Sequence, residues 1–276
     1  MSEISCVIVS YNNISFLEKA ILSVVNQTHP VKEVVIADDA STDGSRHLIK
    51  TLAKEYQCIR PILREKNLGV AANRDLAIRS AKCDLVTTLD GDDWYTDRKI
   101  EWEVKALRES RASVAYSSIQ IVNDNGEKKR VLDTSGFSKL DLSQRLKWIA
   151  FYRSPLPRDM LFLRKTYLEV GGMNHNLKRF EDRDYKIRLV AGSGDWAYSG
   201  IIGVNYRKVS YSLSDTGSLQ TNLDKYKILS MNSLLFREHI GNAFFEIARA
   251  RLITSIGKSA LDHIVKNKTF PLYSIR

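Results

Sequence analysis

Apolar positions in the first hundred residues fall into short solid blocks separated by longer stretches of mixed character. Ile4-Ser5-Cys6-Val7-Ile8-Val9 reads as a buried strand, as do Glu33 to Ala37, Ile59 to Leu63 and Asp84 to Leu89. Between them, Phe16, Leu17, Ala20, Ile21, Val24 and Val25 recur at helical spacing, behind a Ser15–Glu18 pair spaced as a capping box. The turn cluster Ser41-Thr42-Asp43-Gly44 opens a second helix through about Tyr56. A third helix is expected over 70–81, and a fourth, capped by Thr96, through about Glu109. Strands alternating with helices imply an α/β fold whose mainly parallel sheet is covered on both faces.

Such sheets take ligands in the crevice beyond the C-terminal ends of their strands. Ser10-Tyr11-Asn12, Asp38-Asp39 and Asp90-Gly91-Asp92-Asp93 all fall at those ends. After residue 110 the grammar changes. Ser113–Ser118 and Gln120–Val122 read as two strands before the hairpin turn Asn123-Asp124-Asn125-Gly126. A helix near 141–151, a strand near Met160–Leu163, a helix opening at Glu181-Asp182 and a strand over Trp196–Val204 follow. From about Asp224 the chain is helical, with Phe236, Ile240, Phe245 and Leu252 among its apolar positions, and this tail is expected to pack on the main domain. The organisation read here is a domain over 1–215, with halves 1–110 and 111–215, and a helical region over 216–276.

With 43% hydrophobic and 27% charged residues, the chain is neither disordered nor fibrous. Its net charge of +10 is uneven: residues 1–110 carry 15 basic and 17 acidic side chains, whereas the excess lies wholly after residue 110. Cys6, Cys58 and Cys83 lack metal-type spacing and are odd in number, which favours a reducing cytosol over a disulfide scaffold. No apolar run approaches the roughly 20 residues of a membrane span, and residues 1–10 already read as a strand, so no signal peptide is expected. A soluble cytoplasmic chain is expected.

Asp90-Gly91-Asp92 places two carboxylates on one side of an extended segment, with Gly91 leaving space for a ligand to approach the backbone. Hard oxygen donors in this arrangement suit Mg²⁺ or Mn²⁺ bound together with a diphosphate. Asp-x-Asp occurs twice, at 90–92 and 182–184, against about 1.3 occurrences expected by chance from 19 Asp. Position, not the motif itself, singles out the first copy, because it follows a strand directly. For Asp93 and Asp97 the simpler role, capping the next helix, is the expectation.

In this order the chain resembles the inverting family 2 glycosyltransferases of the GT-A fold. The resemblance rests on Val7-Ile8-Val9-Ser10-Tyr11-Asn12, Asp38 to Ser45, Asn67 to Arg74, Asp90-Gly91-Asp92-Asp93, Gly171-Gly172-Met173 and Glu181-Asp182, and spans residues 4–214. It implies a Rossmann-like sheet with a C-terminal helical extension, and a nucleoside diphosphate sugar, mostly UDP-linked, as donor. The backbone around Val9 and the ring of Tyr11 would hold the base, with Asp39 accepting from its edge. Arg74 would line the nucleotide pocket, Asp90 would face ribose and metal, and Asp92 would ligate Mn²⁺ or Mg²⁺. Asp182 would be the general base, a role that also makes chemical sense, since a carboxylate at a helix N-terminus stays ionised. First-turn capping is the other role open to it. Glu181 and Trp94 are candidate acceptor contacts; Trp94 and Trp196 are each either a sugar platform or core.

Two positions depart from the family pattern. Asp75 stands where Asn is usual, a change expected to matter little, and Val209 replaces a histidine that can complete the metal shell. A nucleotidyltransferase of similar sheet would show a Gly-rich loop after the first strand, which Tyr11-Asn12-Asn13 is not. A carbohydrate- or nucleic-acid-binding module would need no separate carboxylate at a helix start. The acceptor implied is a glycan or lipid-linked glycan, with no nucleic acid. The basic, apolar-striped tail fits either peripheral docking on an anionic membrane face or packing against the domain with its charges solvated.

Overall fold

The computed structural model describes residues 3–208 and 219–267, with side chains to residue 262 in the last helix. The first half runs β1 (Ile4–Ser10), α1 (Ile14–Val25), β2 (Glu33–Asp38), α2 (Ser45–Glu55), β3 (Ile59–Leu63), α3 (Val70–Ser80), β4 (Leu85–Asp90), β5 (Trp94–Tyr95) and α4 (Lys99–Glu109). Next come β6 (Val114–Val122), β7 (Lys128–Leu132), α5 (Leu142–Ala150), β8 (Leu161–Leu163), α6 (Arg164–Glu169), α7 (Glu181–Gly192) and β9 (Trp196–Arg207). The C-terminal helices are α8 (Leu219–Met231), α9 (Ser233–Ile240) and α10 (Asn242–Asn267).

One sheet runs in the order β3-β2-β1-β4-β8-β6-β9-β5, with β7 paired to β6. The β1/β2, β2/β3, β1/β4 and β6/β9 ladders are parallel; the shorter β8 and β5 ladders and the β6/β7 hairpin are antiparallel. Alternation along each strand sends side chains to two cores, one on each face. Val7, Val9, Val35 and Ala37 join the core under α3, α5 and α7, whereas Cys6, Ile8, Val34 and Ile36 join the one under α1, α2 and α4. The C-terminal helices share the first of these cores through Ile228, Leu229, Phe236, Phe245 and Leu252, so the tail packs on the main domain. Truncating Phe236, fully buried there, would cost about 3–5 kcal/mol.

Several boundaries differ from the sequence reading. Helix α1 begins at Ile14, with Asn13 at its cap position and no side-chain cap bond; the Ser15–Glu18 box does not form. Asp43 supplies the missing acceptor from a neighbouring loop, taking the Ile14 N–H at 2.8 Å. Thr96 does not cap α4, which starts after Arg98; its hydroxyl instead donates to the Ile202 carbonyl at 3.1 Å. The two strands read over 113–122 are one strand, β6. A capping box does form at Asp141 and Gln144 of α5.

Candidate active site

The loops after β1 and β2 are stitched together by their own side chains. The Asn12 N–H donates to Ser41 Oγ at 2.9 Å, Thr42 N–H donates to Asn12 Oδ1 at 2.9 Å, and the Asp39 N–H donates to the Ser10 carbonyl at 2.9 Å. Asp38, wholly buried, accepts from the backbone and hydroxyl of Ser41. Asp39 is also buried and accepts the N–H groups of Leu68 and Gly69 at 3.0 and 2.8 Å, which pins the loop leading into α3. Its carboxylate retains lone pairs for a further donor. Tyr11, by contrast, is 52% exposed at the mouth, and its ring is free to meet a ligand.

Gly91 does not leave room for a ligand. Its N–H donates to the Val9 carbonyl at 2.9 Å, and a Cβ there would sit 2.2 Å from Asn13 Nδ2 and 2.9 Å from Val9 O. The glycine lets the acidic turn press against the end of β1 and the Asn13 side chain.

Around that turn lies an alternating network of acids and arginines. Arg74, on α3, donates to Asp90 and stands 3.6 Å from Glu181. Arg158 donates to Asp90 at 2.9 Å, Asp93 at 2.8 Å and Asp159 at 2.7 Å, its guanidinium lying over the Tyr206 ring. Burial pushes the Asp90 carboxyl towards its neutral form, but Arg74 and Arg158 outweigh this and hold it below the usual carboxylate range. Asp92 differs: burial, then the Asp90 charge, raise its affinity for a proton, and among the described residues no other side chain is hydrogen-bonded to its carboxylate. A carboxylate in that state is one a cation would satisfy, so Asp92 fits a metal held jointly with a ligand. Among the described residues, no three His, Cys, Asp or Glu side chains are grouped to hold a metal alone, so the rest of its shell would come from donor oxygens and water. Val209 lies outside the described residues.

Helix α7 presents Glu181 and Asp182 in its first turn, after Phe180 in a left-handed conformation (φ 58°). Asp182, 48% exposed, accepts from Lys186 Nζ one turn on at 2.9 Å. Desolvation opposes its charge, but Lys186, Arg183 and Arg74 prevail and keep the carboxyl below its ordinary range. Glu181 is buried; desolvation and the neighbouring Asp182 charge raise its carboxyl to about 7 against the pull of Arg74. Asp184 turns inward instead, accepting from Arg188 at 2.7 Å and from Asn232 at 2.8 Å, and so ties α7 to the C-terminal helices. The second Asp-x-Asp thus divides into one half-exposed acid and one packing acid.

Asp75 matters more than its place in the sequence suggested. Buried, it accepts from Tyr167 Oη at 2.6 Å, Arg79 at 2.8 Å and the Met173 N–H at 3.2 Å, with His175 Nε2 at 2.9 Å. It fixes the Gly171-Gly172-Met173 turn that precedes α7; a Cβ on Gly172 would lie 2.4 Å from its Oδ1. Trp196 is core, 3% exposed and edge-on to Phe137, and cannot serve as a sugar platform. Trp94 sits outside the acid cluster, in a separate groove beside α1, with Lys19 Nζ 3.4 Å above its ring. Arg158, Asp159 and Lys186 were not foreseen from the sequence. Only Lys186 carried a local signal, its i,i+4 spacing from Asp182.

The parallel strands β2 and β4, on either side of β1, carry acids at their C-terminal ends, where α/β sheets take ligands, and Arg74 links Asp90 to the carboxylate pair that opens α7. Residues 5–171 match Glycosyl transferase family 2, and the chain belongs to that family. It is 30% identical over 123 residues to the putative teichuronic acid biosynthesis glycosyltransferase TuaG of Bacillus subtilis (strain 168), covering 45% of this chain and 49% of that protein. An uncharacterized glycosyltransferase of Rickettsia bellii (strain RML369-C) is 30% identical over 137 residues, covering 50% of this chain and 20% of that protein. The chain therefore matches half or less of these relatives' length. The crystal structure of S. aureus TarS 1-349 in complex with UDP-GlcNAc superposes with a TM-score of 0.69 at 17% identity, covering 95% of this chain and 73% of that one. That likeness shows the fold, GT-A.

Proposed function

We propose that this chain transfers a sugar from a nucleoside diphosphate sugar, UDP-linked in the first instance, to a hydroxyl of a glycan or lipid-linked acceptor in cell-surface polysaccharide synthesis. The observation that carries this reading is the Arg74 bridge: one guanidinium joins Asp90 at the nucleotide-side strand ends to Glu181, next to Asp182 on the acceptor side. Family membership, a relative named for teichuronic acid biosynthesis and a fold neighbour solved with UDP-GlcNAc support it.

In this reading Tyr11, the Val9 backbone and Asp39 receive the base, and Asp90, held by two arginines, faces the ribose. Mn²⁺ or Mg²⁺, held by Asp92 with the diphosphate, would supply charge neutralisation for the departing nucleoside diphosphate. Asp182, kept ionised by Lys186, takes the proton of the acceptor hydroxyl as that oxygen attacks the anomeric carbon. A single displacement follows, with inversion. Glu181 contacts the acceptor beside it. The chain works on the cytoplasmic side of a membrane. Among the described residues no helix is long and apolar enough to cross one, while α10 exposes Phe244, Ile247 and Leu261 together with Arg251 and Lys258, a face suited to peripheral contact with anionic lipid.

The test is a panel of UDP-, GDP- and dTDP-sugars with Mn²⁺, followed by release of nucleoside diphosphate. Turnover of one donor class is expected; release from none of them contradicts the reading.

A further inference from the structure

A groove of about 710 Å³ lies between α1, β5, the β6/β7 hairpin and β9. Neither Asp90, Asp92, Glu181 nor Asp182 lines it. Its volume is in the range of sites that hold organic ligands. Trp94 forms one wall, and its indole N–H has no partner among the described residues. Asn205, from β9, forms another; it is only 6% exposed, yet among the described residues its side-chain amide is hydrogen-bonded to nothing. Both amide atoms still reach solvent, so its donor and its acceptor are open to something that enters the groove.

The rest of the lining says what that something is. Glu18 and Asp97 balance Lys19 and Lys128, so the groove carries no net charge to select a phosphate or a nucleotide. A sugar ring has an apolar C–H face and an equatorial rim of hydroxyls that both donate and accept. An indole, an amide, carboxylates and ammonium groups in one cleft match that pattern. Lys19, an exposed side chain, lies across the Trp94 ring; a sugar would take that face and its hydroxyls would meet the displaced ammonium.

We infer that this groove is a second carbohydrate-binding site, which holds a portion of a glycan acceptor away from its reacting end. This rests on the reading of the acceptor as a glycan. The groove is joined to the catalytic turn by Arg207, whose Nε donates to the Asp92 carbonyl at 3.1 Å and whose guanidinium lies 5.2 Å from the Trp94 ring centre. A chain seated there runs alongside the turn that carries the donor.

The experiment uses a printed array of neutral and acidic di- to hexasaccharides, probed with the full chain, with Trp94→Ala and with the milder Asn205→Ala. UDP affinity of each protein serves as the control for folding. Wild-type capture of at least one oligosaccharide is expected, weakened about tenfold in Asn205→Ala and more in Trp94→Ala, with UDP affinity unchanged. Capture of no oligosaccharide by a wild-type protein that binds UDP, or equal capture by Asn205→Ala, overturns the groove and leaves the transferase reading standing. Groove-dependent capture by a protein that binds none of UDP, GDP and dTDP supports the groove and sinks the transferase reading instead.

Discussion

The crossed loops at the ends of β1 and β2 and the first turn of α7 both carry acidic motif residues, but they use them in opposite ways. In the loops, Asp38, Asp39 and Asp43 spend their oxygens on backbone N–H groups and a serine hydroxyl, and so set geometry. On α7, Glu181 and Asp182 face each other's charge and two cations, and so set reactivity. A motif aspartate is therefore not by itself a chemical residue. What it touches decides.

The contrast breaks most visibly at Asp182. Asp182→Asn keeps the shape of the turn and removes the base; transfer should fall by about 10²–10⁴-fold while donor affinity holds. Near-normal turnover would place the base elsewhere. The next largest effect is on folding. Arg158→Met leaves Asp93 and Asp159 without their buried counter-ion and should lower stability by about 3–5 kcal/mol in urea denaturation. A loop acid should act more mildly. Asp39→Ala orphans two N–H groups and should cost about 1–3 kcal/mol, with protease sensitivity appearing near Leu68. It should also weaken UDP binding through the lost contact to the base; unchanged stability would end the division between the two regions.

The smallest effect is a pH dependence. Glu181, raised to about 7, is held neutral at low pH by burial and Asp182, against Arg74, with Asp90 also opposing its charge. Its folded-state proton affinity exceeds the unfolded value, so the stability it contributes is present below about pH 4.5 and is lost as pH rises towards 7. Over the same upper range its ionisation adds a negative charge to the crevice, and UDP binding without metal should weaken. Glu181→Gln should flatten both trends; profiles that match wild type would show another group titrating.

Strand-end motifs were legible because each is local: an apolar block, then polar residues that must sit at the crevice. So was the Gly126 turn, where φ is 80°. Arg158 was not, since its partner Asp90 is 68 residues away in sequence and no short-range pattern announces the pairing. The cap of α1 was misread for the same reason, its acceptor coming from Asp43 on another loop. β7 was missed because its first four residues are exposed, leaving no buried face for a hydrophobic pattern to mark. Asp184 shares its Asp-x-Asp with Asp182, but helix geometry turns it inward and leaves Asp182 half-exposed.

The central claim is that the acidic turn binds a nucleoside diphosphate through a cation on Asp92. Calorimetry of UDP binding, with and without Mn²⁺, to the wild type and to Asp92→Asn tests it directly. The account predicts that Mn²⁺ tightens UDP binding in the wild type and that Asp92→Asn removes this gain while retaining the metal-free affinity. UDP binding that is absent, or that is the same with and without Mn²⁺, contradicts it.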